Sequence, residues 1–452
     1  VNDDYFIEAI SPWLHGDDGP IRARLTLAIR QAVSGGQLPQ GFRFPAERTI
    51  AKALHVSRPT VSAVIDDLRN SGLVTSRQGS GTWVSGPGRH NGPQVPFVEM
   101  IQAVGNIDLA SATPPDAGLL PPMRVSTADL LMAEPANGLS PMGLWTLRQA
   151  VALRTARFVP HTTADNVIIT SGAHQALAMV VATLAARGSP ILLENTTYGG
   201  LVDIIQANGC HPIGVTRDAN GVVPDVLHDL LVRHKPSLTI LVSSVHSPTG
   251  TVSPPSRCEE IARILVDAQT QVVLDETYAD LEFAPSGRPL STFLGEQAIR
   301  IGSLSKTLWT GLRTGWITAD REICSTIVRR RWQQFDLGPS IASQLFAVQL
   351  LDGFDDRIAS RCHDLRDRAG WFINALTQAF PEWKPTPVDG GLATWIELPG
   401  DGVTYANEAG IRGVAVLPGS ACRADHADTP HIRICFDRPI DLLQTALERL
   451  TQ

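Results

Sequence analysis

Gly302-Ser303-Leu304-Ser305-Lys306, followed by Gly311-Leu312-Arg313-Thr314-Gly315-Trp316, decides how the larger part of this chain is read. The apolar run AIRIGS leads into the first string and GWIT leaves the second, so the lysine lies just past a strand end with an arginine seven residues on. An amine placed there suits an imine to an aldehyde cofactor that carries a phosphate. Lys306 supplies the nitrogen, while Ser303, Ser305 and Arg313 can hold the phosphate dianion. The sequence has only four lysines, Lys52, Lys235, Lys306 and Lys384, so one inside such a string carries weight. The G-x-x-x-x-G-K-[ST] spacing of a P-loop is absent.

Working upstream, VVLDETYADL puts Asp275 at a strand end, where an ionised carboxylate can pair with a pyridinium nitrogen and keep the ring an electron sink. Tyr278, three residues later, can hydrogen-bond a phenolic oxygen of the same ring. Thr170-Ser171-Gly172-Ala173-His174-Gln175 joins the strand VIIT to a helix, so backbone N–H groups at Gly172, Ala173 and His174 face a bound phosphate. Tyr198, in LLENTTYGG, is placed to stack on a ring face. The runs VIIT, PILLEN, HPIGVT, LTILVSS, QVVLDE, AIRIGSLS and GWIT alternate with helical patterns, which predicts a largely parallel sheet covered by helices. A last part, from about Thr326, has its own helices and the strand-like ATWIEL and HIRICF, and reads as a smaller α/β domain.

These features in this order, with Gly143-Leu144-Trp145-Thr146-Leu147-Arg148, Ser247-Pro248-Thr249-Gly250, Gly390-Gly391-Leu392 and Arg433, resemble fold-type I pyridoxal-phosphate (PLP) proteins of the class I aminotransferase group over about residues 107–450. The resemblance implies PLP on Lys306, no metal, and a substrate or effector carboxylate on Arg433, a role that planar guanidinium geometry suits. It also implies a homodimer, since sites of this type lie between subunits. Two positions depart from the pattern. Ser247 stands where an asparagine usually reaches the cofactor's phenolic oxygen, and Gly138 where a tyrosine usually reaches a phosphate across the dimer.

The first part of the chain is of another kind. Residues 19–85 carry nine basic and three acidic side chains, a net of +6 against −7 for the whole, so the remainder carries −13. A basic module on an acidic body fits a partner that is a polyanion. Apolar spacing predicts helices over 20–33, 46–54 and 58–70, Ser57 as an N-cap with Pro59 in the first turn, and a β-wing from LVTSR and GTWVSG around Gln78 and Gly79. This is a winged helix-turn-helix, with Ser57, Arg58 and Thr60 in the turn that enters the major groove of double-stranded DNA.

The string GFRFPAERTIAKALHVSRPTV with LVTSRQGSGTWV resembles the GntR family of bacterial regulators across residues 18–85. That resemblance implies that Arg43 and Arg48 contact phosphate or base edges beside Arg58, Thr60 and Gly79. A GntR-type head on an aminotransferase-like body defines the MocR subfamily. The expected organisation is a winged helix-turn-helix over 1–85, a Gly/Pro-rich linker over 86–106, a large α/β PLP domain over 107–325 and a small domain over 326–452. The expected function is an operator-binding transcription regulator that senses PLP, an amine or an amino acid through an aldimine at Lys306; the alternative is a working aminotransferase with an accessory head.

Six scattered cysteines without C-x-x-C or zinc spacing suit a reducing compartment. VNDDYFIEAI lacks a basic-then-apolar leader, and the apolar run Leu177 to Ala186 is too short for a bilayer, so a cytoplasmic chain without a membrane partner is expected.

Overall fold

Phe6, Ala9 and Ile10 recur at helical spacing, and all three are buried on α1 (Asn2–Leu14) in the computed structural model. They share a core with Leu25, Ala28 and Ile29 of α2 (Ile21–Ser34), Ile50 and Ala51 of α3 (Glu47–Ala53), and Val61, Val64, Ile65 and Leu68 of α4 (Arg58–Asn70). The structure describes all residues except 1, 15–20, 35–36, 39–41, 71–72, 78–80, 85–96, 102–106, 115–116, 134–136 and 286. They form two units, one centred on Val1–Met100 and the other on Ile101–Gly402 and Ala409–Gln452.

In the first unit, Ser57 caps α4 as its sequence predicts, its Oγ accepting from the Thr60 N–H at 3.2 Å. The antiparallel wing pairs β1 (Val74–Arg77) with β2 (Gly81–Val84). A third segment joins it: Phe44 N–H donates to the Thr82 carbonyl at 2.8 Å and Val84 N–H to that of Phe42 at 2.9 Å. Arg22 forks onto Asp67 at 2.8 and 2.6 Å, tying α2 to α4.

The second unit opens with β3 (Ile107–Asp108) and then builds an eight-stranded sheet. Its members are β4 (Val167–Thr170), β5 (Pro190–Asn195), β6 (His211–Asp218), β7 (Gly221–Val222), β8 (Leu238–Val242), β9 (Val272–Asp275), β10 (Ala298–Ser303) and β11 (Gly315–Thr318). The order is β4-β11-β10-β9-β8-β5-β6-β7, with β10, β9, β8, β5 and β6 mutually parallel and β11 and β7 reversed. Alternation shows why these strands read as continuous apolar runs. Ile191 and Leu193 face one helical layer and Leu192 the other; Val273 faces the first, Val272 and Leu274 the second.

A four-stranded antiparallel sheet follows, formed by β12 (Lys384–Pro385), β13 (Ala393–Glu397), β15 (Leu417–Pro418) and β16 (His431–Cys435), while β14 (Val414–Ala415) pairs in parallel with β3. The domain edge expected at 325 falls within a continuous helix, Arg321–Gln334, whose Cys324 and Ile327 enter the core under the large sheet. The strand β3 at 107 is hydrogen-bonded to the C-terminal part. The expected 86–106 linker lies mostly outside the described residues, which include the short helix Phe97–Met100. All six cysteines are buried free thiols. Among the described residues no helix is long and apolar enough to cross a membrane, and no cluster of three or more ligating side chains is suited to a metal.

Candidate functional site

Carboxyl ends of parallel strands are where open α/β sheets bind ligands, because loops and helix N-termini converge there. Thr170 ends β4, Asn195 ends β5, Asp275 ends β9 and Ser303 ends β10; Tyr198, Ser247 and Lys306 lie in the segments that follow β5, β8 and β10. The topology therefore gathers residues separated by more than a hundred positions.

On the anion side, the helix Ala173–Leu184 begins at Gly172, whose φ is +120°. A Cβ on Gly172 would stand 3.6 Å from Arg313 Nη1, so the guanidinium lies across the bare glycine. Arg313 itself is left-handed at φ +49°, an uncommon and costly conformation for a residue other than glycine. Ser303 Oγ lies 3.0 Å from both Ser305 Oγ and the Thr314 carbonyl, which fixes the turn into Lys306. Gly315 is pressed against the backbone: a Cβ there would come within 2.7 Å of the Gly172 carbonyl carbon. The cradle is thus a helix N-terminus, two hydroxyls and a guanidinium, a donor set that matches a phosphate.

The amine side is drier. Lys306 is part-buried, and burial first, then the charge of Arg433, pulls its amine down to about 8. Burial pushes the Asp275 carboxyl above its ordinary range, opposed by the Thr277 N–H, which donates to Oδ1 at 2.8 Å, and by the charge of Lys306. Burial raises the Tyr278 phenol too, opposed first by the charge of Arg433 and then by the Ser247 hydroxyl. Tyr198 is pushed up to about 12, by burial first and by Asp275 next, and its oxygen lies 3.3 Å from His174 Nδ1 with the rings edge to face. Burial, then Arg313, holds His174 below its usual value, which favours the neutral ring.

Several participants carry no signal in the sequence. The Ala112 carbonyl accepts from Lys306 Nζ at 2.8 Å and from Tyr278 Oη at 3.2 Å, and the Ala110 carbonyl accepts from Arg433 Nη2. Arg438 holds the same stretch, donating to the carbonyls of Asp108, Thr113 and Ser111 at 2.8, 2.8 and 2.7 Å. Arg361 ion-pairs with Asp437 at 3.0 Å beneath Lys306. Behind Ser247, buried Glu194 binds Arg217 and takes the Val242 N–H at 2.6 Å. His246 Nε2 faces the Thr196 carbonyl at 3.0 Å, an acceptor only, so Nε2 bears the proton and Nδ1 accepts from Thr249 Oγ1 at 2.8 Å. A pair of strand-like runs flanking a buried charge was the available hint, since a lone Glu194 in PILLEN is unexplained by the sheet alone.

In the head, Arg58 opens α4 with 72% of its side chain exposed, 3.5 Å from Glu47. Thr60 Oγ1 sits 2.7 Å from Ser57 Oγ, and Arg48 is exposed on α3. Arg43 bridges to Trp83 in the wing with its guanidinium 5.8 Å from the indole. Gln78 and Gly79, named with them from sequence, lie outside the described residues.

Residues 105–450 match the family Aminotransferase class I and II, and residues 21–84 match the bacterial regulatory proteins of the gntR family. The chain is 27% identical over 403 residues to the uncharacterized HTH-type transcriptional regulator YdfD of Bacillus subtilis (strain 168), covering 82% of this chain and 83% of that one. It is 30% identical over 242 residues, 52% of this chain and 61% of that one, to a 2-aminoadipate transaminase of Thermus thermophilus. Among solved structures, an archaeal alanine:glyoxylate aminotransferase aligns with a TM-score of 0.68 at 25% identity, over 76% of this chain and 89% of that one.

Proposed function

The chain belongs to the class I and II aminotransferase family and joins that domain to a gntR-type head in the MocR architecture, and from this premise we propose that it is a PLP-dependent transcription regulator answering to PLP, an amine or an amino acid. The observation that carries the reading is the pairing, in one chain, of an exposed Arg58 at the first turn of a helix-turn-helix with a sequestered Lys306 amine. The proposal puts its work in the cytoplasm, on chromosomal operators, as direct or inverted half-sites.

The donor set fits PLP. Gly172, Ala173, His174, Ser303, Ser305 and Arg313 would hold its phosphate, Tyr198 its ring face, Asp275 its ring nitrogen, Tyr278 and Ser247 its phenolic oxygen, and Lys306 its aldehyde carbon. When bound, the cofactor supplies a carbon that captures amines and a ring that withdraws electrons. Arg433 supports a carboxylate role: it is buried, and its Nε has no hydrogen-bond partner among the described residues. Asp275, held by the Thr277 N–H, would face the ring nitrogen, and the neutral His174 lies against Tyr198.

An aminotransferase is the second reading, favoured by the complete set of Lys306, Asp275, Tyr278, Tyr198, Arg313 and Arg433. Ser247 and Gly138 weigh against it, since both are smaller than the residues usual there and give up contacts to the cofactor. A homodimer is supported by the helix Thr127–Met132, none of whose residues is buried and whose Leu131 and Met132 are 77% and 82% exposed.

One experiment separates the readings. The purified full chain is assayed for binding to its own upstream DNA and for amino-group turnover against a panel of amino acids, beside Lys306→Ala. The expected result is DNA binding, a visible band of lysine-bound PLP that Lys306→Ala abolishes, and slow turnover. Fast turnover without DNA binding reverses the assignment.

A further inference from the structure

Arg433 is a fork with one tooth in use. Its Nη2 is taken by the Ala110 carbonyl, while Nε, which lies on the same side of the guanidinium, is buried without a hydrogen-bond partner among the described residues. A carboxylate that binds side-on needs both atoms, so it must replace the Ala110 carbonyl. Two residues later the Ala112 carbonyl occupies Lys306 Nζ and Tyr278 Oη. One turn of backbone thus satisfies both the cation that would receive a ligand's carboxylate and the amine beside it.

That turn is built to stay in place. Asp108 Oδ1 accepts from the Ala110 and Ser111 N–H groups at 3.0 and 2.8 Å, and the Ser111 hydroxyl bonds Oδ2. Leu109 is sewn to Ala415 and Cys435, 2.9 Å each. Arg438, 4% exposed, then grips the carbonyls of Asp108, Ser111 and Thr113. Its neighbour Asp437 binds Arg361, whose Nη2 lies 3.4 Å from the Lys306 carbonyl.

We propose that the turn Ala110–Thr113 stands in for a ligand carboxylate at Arg433, and that Arg438 is the positioning residue that sets how firmly the turn holds that place. The inference rests on the reading of Arg433 as a carboxylate anchor. It adds a selection rule. An amino acid gains Arg433 only by displacing backbone, whereas an amine without a carboxylate leaves the Ala110 contact intact. Ligands that differ by that one group therefore leave the body in two different states.

The test uses the full chain loaded with PLP, L-alanine and ethylamine as probes, the visible band as the binding readout, and hydrogen exchange of peptides spanning 107–114. In the wild type, L-alanine speeds exchange across these residues and ethylamine does not. Arg438→Gln speeds it without ligand and tightens L-alanine about tenfold, the worth of roughly one charge-assisted hydrogen bond, with ethylamine unchanged. Arg438→Lys, which keeps the charge and loses the fork, falls between, and the wild-type exchange arm needs no variant to fold. A band that forms while the two probes affect exchange alike, or an Arg438→Gln effect equal for both, overturns the inference alone. A chain that never forms the band removes the cofactor reading, and the inference with it.

Discussion

Lys306 Nζ donates a 2.8 Å hydrogen bond to the carbonyl oxygen of Ala112, from a segment 194 residues away in sequence. The amine is thereby kept out of water and in reach of Arg433, which, after burial, is the main influence that lowers its proton affinity.

PLP capture should follow that shift. Only the neutral amine attacks an aldehyde, and it becomes the major form above its pKa. The capture rate should rise steeply with pH up to about 8 and level off beyond it. An unperturbed lysine would keep rising towards about 10.4. Arg433→Gln removes a positive charge, so the plateau should begin at higher pH. Stopped-flow absorbance from pH 6.5 to 9.5, about 3 units, checks both; a wild-type rate still climbing tenfold per unit above pH 9 would refute the assignment.

Arg313 is held left-handed at φ +49° beside Gly172. Arg313→Gly should relieve a strain of about 1 kcal/mol while removing a phosphate ligand. The cofactor-free protein should melt at the same temperature or slightly higher, and PLP affinity should fall by about tenfold or more. Calorimetry with and without PLP separates the two effects, and a lower melting point in the cofactor-free variant would contradict the strain argument.

Arg58→Ala should weaken specific operator binding by about 1–3 kcal/mol with relaxed sequence preference. A loss that is uniform across sequences, with a salt slope smaller by about one, would instead make Arg58 a phosphate contact. Fluorescence anisotropy on operator and scrambled duplexes at several salt concentrations distinguishes them.

Leu131→Asp with Met132→Asp should shift the protein towards monomer, because two exposed apolar side chains on one short helix become charges at the proposed subunit contact. Sedimentation velocity reads the outcome; an unchanged species places the contact elsewhere.

Much of this was legible because it is local. The strands were visible as apolar runs since helices cover both faces of the sheet, and α4 was placed by Ser57 and its apolar spacing. Lys306, Asp275 and Arg313 stood out as charges at strand ends. The α1 helix has Phe6, Ala9 and Ile10 in plain helical spacing, but it lies outside the helix-turn-helix pattern and joins that core only by tertiary packing. What could not be read is whatever depends on backbone atoms meeting across the chain. No side-chain pattern announces that the carbonyls of Ala110 and Ala112 face Arg433 and Lys306, and Arg438 in CFDRP looks like any arginine after a strand.

The pairing of β3 with β14 also sets an order of birth. The head has every core residue in hand once Val84 has been made, whereas Ile107 must wait for Val414, and β4 for β11 at Gly315. At ordinary elongation speeds that is a gap of roughly 20 to 60 seconds. A reading head is therefore finished on the nascent chain well before the body that would govern it. A chain that ends before Val414 would hold the whole core of the head and lack the strand that β3 pairs with.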